Sequence, residues 1–203
     1  MARQESCPIR LNLGMKKIIF QEFISLDGYA ADAANSTAFF EERRFGQGSD
    51  EDLLAEMDNF DTILLGANTY KMFVEFWPGV TNDMEIMADK LNSIPKIVFS
   101  KSLQKAPWGK WPDAEIIHSD AVSAARKLKT GTGKNMVLWG SISLAQVFMK
   151  ENLIDEYHLR IVPKLLGAGR LLFVGNPFAE LELIESKKYP SGLLLAKYNA
   201  RVG

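Results

Sequence analysis

The sequence predicts a single α/β domain with a mostly parallel central sheet, helices on both faces and an antiparallel edge at its C-terminal end. Apolar, β-rich segments alternate with helical patterns over the first two-thirds of the chain. The last third is rich in strands and has no helical pattern between them. The chain has 203 residues, 47% of them hydrophobic, which is enough to bury one substantial core.

The predicted strands share β-branched and aromatic residues bounded by turn residues. They cover 17–25, 62–65, 96–99, 115–118, 136–139, 157–162, 181–187 and 193–198. The predicted helices share apolar residues at helical spacing. They cover 69–77, 81–92 and 121–129, one that ends at 151, and one that starts at a capping box at 49–52. Asp120 is the expected cap of 121–129, and Ser141 or Ser143 that of the helix ending at 151. The segment 30–48 is expected to be a loop with a short helix near 39–44.

Composition narrows the functional class. The formal net charge is −1 and the basic residues are scattered, which argues against a nucleic-acid partner. A lone Cys7 and the lack of a long apolar run predict a cytoplasmic protein without a membrane partner. His118 and His158 lack ligand-type neighbours at metal-site spacing, so no metal is expected. Residues 1–14 are expected to be an N-terminal tail, with a partner-binding extension as the alternative, and 15–203 the domain.

Three strand ends carry small or hydroxyl residues, and two of them run directly into a helix. These junctions lie at 64–70, 98–101 and 137–141. A helix start presents free backbone N–H groups and a positive dipole end, which suit a phosphate. Three junctions at one sheet edge therefore predict a dinucleotide across the carboxyl ends of the strands. Each junction alone is equally typical of an ordinary turn or helix cap.

The chain resembles the dihydrofolate reductase-like superfamily, in the branch of the riboflavin-biosynthesis reductase domain (RibD C-terminal domain-like). Six segments occur in the family's order over nearly the whole chain. They are SLDGY at 25–29, LGANTY at 65–70, IPKIVFSK at 94–101, WGSISL at 139–144, LIDEY at 153–157 and VPKLLGAG at 162–169. No single segment is specific, but the ordered set is.

This resemblance implies a dihydrofolate reductase-like fold, bound NADPH and a homodimer. It implies reduction of a pterin-like or pyrimidine-like ring, of the dihydrofolate reductase or 5-amino-6-(5-phosphoribosylamino)uracil reductase type. Thr69 would offer its hydroxyl and N–H to the pyrophosphate, and Ser100 with Lys101 would face the 2′-phosphate. The residues implied to bind the cofactor are Gly28, Gly66, Asn68, Thr69, Ser100, Lys101, Gly140, Ser141, Ile142 and Ser143.

Three residues depart from the family pattern. Ala67 stands where many relatives carry an arginine that grips the 2′-phosphate, so NADPH preference would rest on Lys101, helped by Lys71, and NADH is not excluded. Ser141 replaces the second glycine of a cis-bonded pair and must tolerate that strain or adopt a trans bond, while its hydroxyl could still donate to phosphate. Trp139 replaces a glutamate of the riboflavin-pathway reductases, and would stack on a ring or fill core.

Two acidic residues are candidates for the substrate side. Asp27 lies in the first loop, and Asp52 lies at the start of the first helix after it. The ordinary alternatives are a turn residue for Asp27 and a helix-dipole partner for Asp52.

A flat aromatic pocket, or simply core, is the expectation for Tyr29, Phe73, Trp77 and Trp108. The alternative to a reductase is a non-catalytic nucleotide-binding relative that keeps the cofactor cleft but lacks a proton donor.

Overall fold

The computed structural model describes residues 15–175 and 179–201, so the expected tail 1–14 lies outside the described residues. The strands are β1 (Ile18–Ser25), β2 (Tyr29–Ala31), β3 (Phe60–Gly66), β4 (Lys96–Phe99), β5 (Glu115–Ile117), β6 (Asn135–Trp139), β7 (Glu156–Val162), β8 (Arg170–Leu171), β9 (Leu181–Lys188) and β10 (Leu194–Ala200). The helices are α1 (Arg43–Gly46), α2 (Ser49–Glu56), α3 (Ala67–Phe76), α4 (Ala88–Ser93), α5 (Ala121–Lys129) and α6 (Ile142–Lys150).

Eight of these strands form one sheet in the order β5-β4-β3-β6-β1-β7-β10-β9, while β2 and β8 form a separate ribbon. The first six strands in that order are parallel to one another. Strand β10 runs antiparallel to both β7 and β9. The predicted fold class, including the antiparallel C-terminal edge, is confirmed.

Alternate residues of the central strand β1 enter two different cores. Ile18, Phe20 and Ile24 pack in the cluster that also holds buried residues of α5 and α6. Ile19 belongs to the cluster that holds buried residues of α2, α3 and α4. The period-2 alternation of a strand therefore places helices on both faces of the sheet, as predicted.

Helix α5 has the predicted bounds, and the Asp120 carboxylate accepts a hydrogen bond from the Ser123 N–H at 2.8 Å. The capping box at 49–52 is wrong. Helix α2 has Gly48 at its N-cap, in the left-handed region at φ 76°. Ser49 is buried in the first turn, where its hydroxyl accepts a hydrogen bond from Arg160 Nε at 3.0 Å. A tertiary partner has taken the side chain that was expected to cap.

The predicted helix at 81–92 is also largely wrong, because α4 covers only its second half. Asn82 accounts for the difference. Its amide oxygen accepts from the Asp89 N–H at 2.9 Å, and its amide nitrogen donates to the Asp89 carboxylate at 2.9 Å. These side-chain bonds hold 81–87 in successive turns and compete with a helical backbone.

Candidate functional site

A cavity of about 1580 Å³ lies at the carboxyl ends of the parallel strands. The three junctions singled out from the sequence all line it, after β3, β4 and β6. Of the ten residues expected to bind cofactor, nine line the cavity. They are Gly66, Asn68, Thr69, Ser100, Lys101, Gly140, Ser141, Ile142 and Ser143.

The junctions after β3 and β6 are hydrogen-bonded to each other. The Ser141 N–H donates to the Thr69 hydroxyl oxygen at 2.9 Å, and the Gly66 N–H donates to the Ser141 hydroxyl oxygen at 2.7 Å. Gly140 permits this approach: its φ is 53°, and a Cβ there would lie 3.2 Å from Thr69 Cγ2. The starts of α3 and α6 are therefore fixed side by side at the cavity wall.

The structure bears on two expectations about Ser141, the geometry of its peptide bond and the use of its hydroxyl. The bond joining it to Gly140 is trans, and Ser141 has a left-handed φ of 55°. Its hydroxyl donates to the Trp139 carbonyl at 3.0 Å, so in this structure that proton is engaged within the protein, and donation to a phosphate stays a prediction. The Thr69 hydroxyl accepts from Ser141, which leaves its own proton available to donate.

Cationic and hydroxyl groups flank these junctions. The Ser100 hydroxyl oxygen accepts from the Leu103 N–H at 3.1 Å, and the exposed Lys101 follows it. Across the cavity, Arg170 donates through Nη2 to the Ser143 hydroxyl at the start of α6. Lys71, the expected helper of Lys101, does not line the cavity, whereas Arg170 does. A dinucleotide phosphate would thus meet Lys101 and Arg170, and the latter was missed from the sequence.

Asp27 and Gly28 do not line the cavity. The Asp27 carboxylate accepts hydrogen bonds from the Ser25 hydroxyl at 2.6 Å and from the N–H groups of Leu166 and Gly167 at 3.1 and 2.8 Å. The bond from Ser25 is the largest of the effects that lower the Asp27 pKa to about 2. Asp27 therefore ties the first loop to the loop after β7, and this carboxylate is poorly suited to donate a proton.

Asp52 is also directed elsewhere. Its carboxylate pairs with Lys187 and accepts a hydrogen bond from the Tyr189 hydroxyl at 2.6 Å, and it does not line the cavity. Two residues earlier on the same helix, Asp50 does line the cavity. Because two residues correspond to about 200° around a helix, the two carboxylates face opposite ways. The structure thus brings Asp50, in place of Asp52, to the cavity.

The environment of Asp50 raises its proton affinity above that of an ordinary aspartate. Burial has the largest effect and, together with the negative charge of Glu85, raises the Asp50 pKa to about 6, although the Arg160 charge opposes the rise. Its Oδ2 packs on the backbone of Gly46 so closely that a Cβ at Gly46 would lie 2.2 Å away. A carboxylic acid with a pKa near neutrality can hold a proton at physiological pH and release it.

Arg160 enters the same cavity from β7 with only 1% of its surface exposed. Its Nε donates to the Ser49 hydroxyl, and its guanidinium carbon lies 5.8 Å from the centre of the Phe23 ring. Its Nη2 has no hydrogen-bond partner among the described residues.

Glu22 lines the cavity from the opposite face of β1, where its neighbour in the register is Leu159 of β7. Its Oε1 accepts from the Phe23 N–H at 3.0 Å, while Oε2 has no partner among the described residues. Burial raises the Glu22 pKa to about 8, and the bond from Phe23 only partly opposes this. A neutral carboxyl group is thus present where the sequence suggested an ordinary strand position.

Trp139 lines the cavity and is tied into a polar network. Its Nε1 donates to Gln21 Oε1 at 2.7 Å, and Gln21 Nε2 donates to Glu56 at 2.7 Å. Glu56 and Glu156 flank His158, at 3.3 and 3.1 Å. Burial lowers the His158 pKa, but the hydrogen bonds to these carboxylates outweigh it and raise the value. The ring of Trp139 is held in one orientation at the cavity wall.

The four aromatic residues expected to line a flat pocket divide evenly. Phe73 and Trp77 line the cavity, and the Phe73 ring lies 6.4 Å from that of Trp139. Trp108 is fully buried core and donates to Asn92 Oδ1 at 2.7 Å. The Tyr29 hydroxyl donates to the Gly167 carbonyl at 3.3 Å. Phe73 and Trp77 thus contribute to the pocket wall, together with Trp139, Phe23 and other aromatic residues.

The sequence profile of the RibD C-terminal domain matches residues 16–195. The chain belongs to the RibD C-terminal domain family. The uncharacterized protein YyaP of Bacillus subtilis is 26% identical over 191 residues, with 93% of this chain and 97% of YyaP covered. A putative riboflavin biosynthesis protein from Shewanella sp. PV-4 has a solved structure that superposes with a TM-score of 0.74 at 25% identity, covering 92% and 99% of the two chains.

A bifunctional deaminase and 5-amino-6-(5-phosphoribosylamino)uracil reductase from Thermotoga maritima also shares the fold. Its TM-score is 0.63 at 14% identity, with 92% of this chain and 57% of that one covered. These findings confirm the predicted superfamily and give the chain a reductase-type fold of the riboflavin pathway. No helix among the described residues is long and apolar enough to cross a membrane.

Proposed function

We propose that this RibD-family chain is an NAD(P)H-dependent reductase of a planar nitrogen heterocycle, pterin-like or pyrimidine-like. The observation that carries the proposal is that Asp50, an acid with a pKa of about 6, lines the same cavity as the phosphate-type junctions. Reduction of a ring C=N bond needs a hydride and a proton. One cavity that offers a dinucleotide site and a proton donor suits that reaction.

The cofactor end of the cavity fits a dinucleotide phosphate. The paired starts of α3 and α6 would hold the pyrophosphate, with the Thr69 hydroxyl as an additional donor. Lys101 and Arg170 would bind further phosphate charge, which supports NADPH over NADH despite Ala67. When bound, the nicotinamide supplies the hydride, and the protein supplies binding, orientation and electrostatics.

The other end of the cavity fits a flat ring. Phe23, Phe73 and Trp139 present aromatic surface that can pack against a heterocycle and exclude water. Asp50 would hold the proton and deliver it to a ring nitrogen, as a positioned general acid does. The cytoplasm, where reduced nicotinamide cofactors are present, is the proposed location.

The test is a titration with NADPH and with NADH, followed by nicotinamide fluorescence and tryptophan quenching. We expect tighter binding of NADPH and a loss of about tenfold in its affinity for Lys101→Ala or Arg170→Ala, as expected for a lost charge-assisted hydrogen bond. Lys71→Ala removes a lysine of helix α3 that does not line the cavity, and this matched control should bind NADPH normally. Absence of binding by either cofactor would rule out the reductase.

Turnover separates the proposal from the non-catalytic alternative. Oxidation of bound NADPH by a member of a pterin and pyrimidine panel supports a reductase. Saturable NADPH binding without turnover on any member would instead favour the nucleotide-binding relative.

We also propose that the chain forms a homodimer in which β9 contacts a second copy. All eight residues of β9 are exposed, and β9 is the edge strand of the sheet. Its apolar side chains include Leu181, Leu183 and Ile184, which are 38%, 55% and 48% exposed. An open apolar edge favours pairing. Sedimentation should give a dimer mass, and Leu183→Lys should shift it toward the monomer; a monomer mass for the unmodified chain would contradict the proposal.

A further inference from the structure

The buried guanidinium of Arg160 does not use all of its hydrogen-bond donors, which is unusual for a buried charged group. It is 1% exposed and fixed at one end by Ser49, yet Nη2 has no partner among the described residues. A buried donor without an acceptor costs free energy, and a buried charged donor costs more. Because Arg160 lines the cavity, a ligand bound there is the natural source of the missing acceptor.

The charges around Arg160 indicate which acceptor fits. Asp50 and Glu56 both interact electrostatically with Arg160, and the Arg160 charge also acts on the Tyr189 hydroxyl. Asp50 in turn faces Glu85 and Glu51. These acids limit the positive potential, so one negative charge is favoured over the two of a phosphate group. The nearby Phe23 ring favours a planar ligand whose charge lies at its edge.

We propose that Arg160 binds a monoanionic oxygen of the substrate, a carboxylate or an ionised ring oxygen, and that this binding loads Asp50 with its proton. The inference rests on the proposed function, because it assigns the substrate class for the same cavity. Arg160 is a binding residue for the ring's anionic edge, and Asp50 is the group that responds.

The coupling between the two residues follows from Coulomb's law. In the free protein, the Arg160 charge favours ionised Asp50. An anion on Arg160 places a negative charge near Asp50 that offsets the Arg160 charge, and this favours the protonated carboxyl. With a pKa of about 6 in the free protein, Asp50 is largely ionised at pH 7. Anion binding at pH 7 should therefore take up a proton from solvent.

The experiment compares ring pairs that differ only in a carboxylate. Orotate is compared with 6-methyluracil, and pterin-6-carboxylate with 6-methylpterin. Calorimetric titration at pH 7 in buffers of different ionisation enthalpy gives both affinity and proton uptake. For at least one pair, we expect the carboxylate to bind at least about tenfold more tightly, or about 1.4 kcal/mol, with net proton uptake. Uridine monophosphate against uridine tests a phosphate dianion, for which no preference that depends on Arg160 is expected.

Three variants locate the effect. Arg160→Gln should remove the carboxylate preference. Asp50→Asn should keep the preference and remove the proton uptake. Arg126 of α5 pairs with Glu151 and does not line the cavity. Arg126→Gln should therefore change neither the carboxylate preference nor the proton uptake. If Arg160→Gln does not fold, the unmodified protein still decides the matter through its ring pairs and proton uptake.

Equal affinity within both ring pairs in the unmodified protein would overturn the inference, as would a phosphate preference that Arg160→Gln removes. Tight carboxylate binding without proton uptake would overturn the coupling to Asp50. The NADPH titration is independent of these results. Normal NADPH binding with no carboxylate preference therefore contradicts only the inference, whereas carboxylate preference without NADPH binding contradicts only the reductase.

Discussion

The two faces of β1 present contrasting ionisable groups to one cavity. On one face, Arg160 of the neighbouring strand has Asp50 and Glu56 within its electrostatic reach. On the other face, Glu22 lies beside Leu159 and Phe20, and among the described residues only the Phe23 N–H donates to its carboxyl group. A buried group with charged neighbours can remain ionised, whereas one without them is neutralised. The comparison indicates that the first face is equipped to handle charge and proton transfer, and the second is not.

The largest effect should come from removing the acid on the charged face. Asp50→Asn should lower the turnover rate by about 10²-fold or more, since general acid catalysis contributes roughly that much. Asp52→Asn removes an acid from the same helix that does not line the cavity, and this control should retain most activity. The measurement is steady-state NADPH oxidation from pH 5 to 9. In the unmodified protein the rate should fall as pH rises above the Asp50 pKa of the bound complex, and an unchanged rate in Asp50→Asn would remove Asp50 from the mechanism.

On the face of β1 that carries Glu22, we expect an intermediate effect, a pH-dependent change in folding stability. Because the Glu22 pKa is raised to about 8 in the folded protein, its contribution to stability is complete below its ordinary value near 4.5. Stability is then lost as pH rises toward 8, since only the unfolded chain can ionise there. Glu22→Gln keeps an acceptor for the Phe23 N–H and cannot ionise.

Thermal unfolding at pH 5 and pH 8 tests this. The Glu22→Gln variant should be close to the unmodified protein in stability at pH 5 and more stable at pH 8 by on the order of 4 kcal/mol. Glu115→Gln, at an exposed position on β5, controls for the loss of any carboxylate. A difference that does not depend on pH would contradict the neutral state of Glu22.

The smallest expected effect tests whether the position of the Asp50 carboxyl group matters for turnover. Gly46→Ala would place a Cβ 2.2 Å from Asp50 Oδ2 and displace the carboxyl without removing it. We expect about a tenfold loss of turnover with the fold retained, since misplacing a catalytic group by about 1 Å can cost that much or more. Gly79→Ala has nothing within 4 Å of its added Cβ and is the matched control. Equal rates for the two variants would show that the position of Asp50 is not critical.

The fold class was predicted well from the sequence, and the chemistry of the site less well. The junction residues could be predicted because a phosphate-type turn is local, and all three junctions line the cavity. The choice of Asp52 over Asp50 depended on the phase of α2, which Gly48 and the buried Ser49 determine. The expected cap at Ser49 failed because its partner, Arg160, is 111 residues away.

Glu22 and Arg160 were missed for a related reason. A signal was available, since each interrupts an apolar strand segment, Glu22 between Phe20 and Ile24 and Arg160 between Leu159 and Ile161. A charged residue inside such a strand is typical of an edge or of a functional site. Only the register of β1 and β7 shows that both positions are central in the sheet and open to the cavity.

The hydrogen bonds that join Gly66, Thr69 and Ser141 also bear on how fast a dinucleotide can associate. They hold the two helix starts together in the absence of any ligand, so this wall loses its conformational freedom during folding and not during binding. A phosphate arriving at the wall meets donors already in place. Association at this end of the cavity should therefore be limited by diffusional encounter, and differences in cofactor affinity among variants should appear chiefly in the dissociation rate.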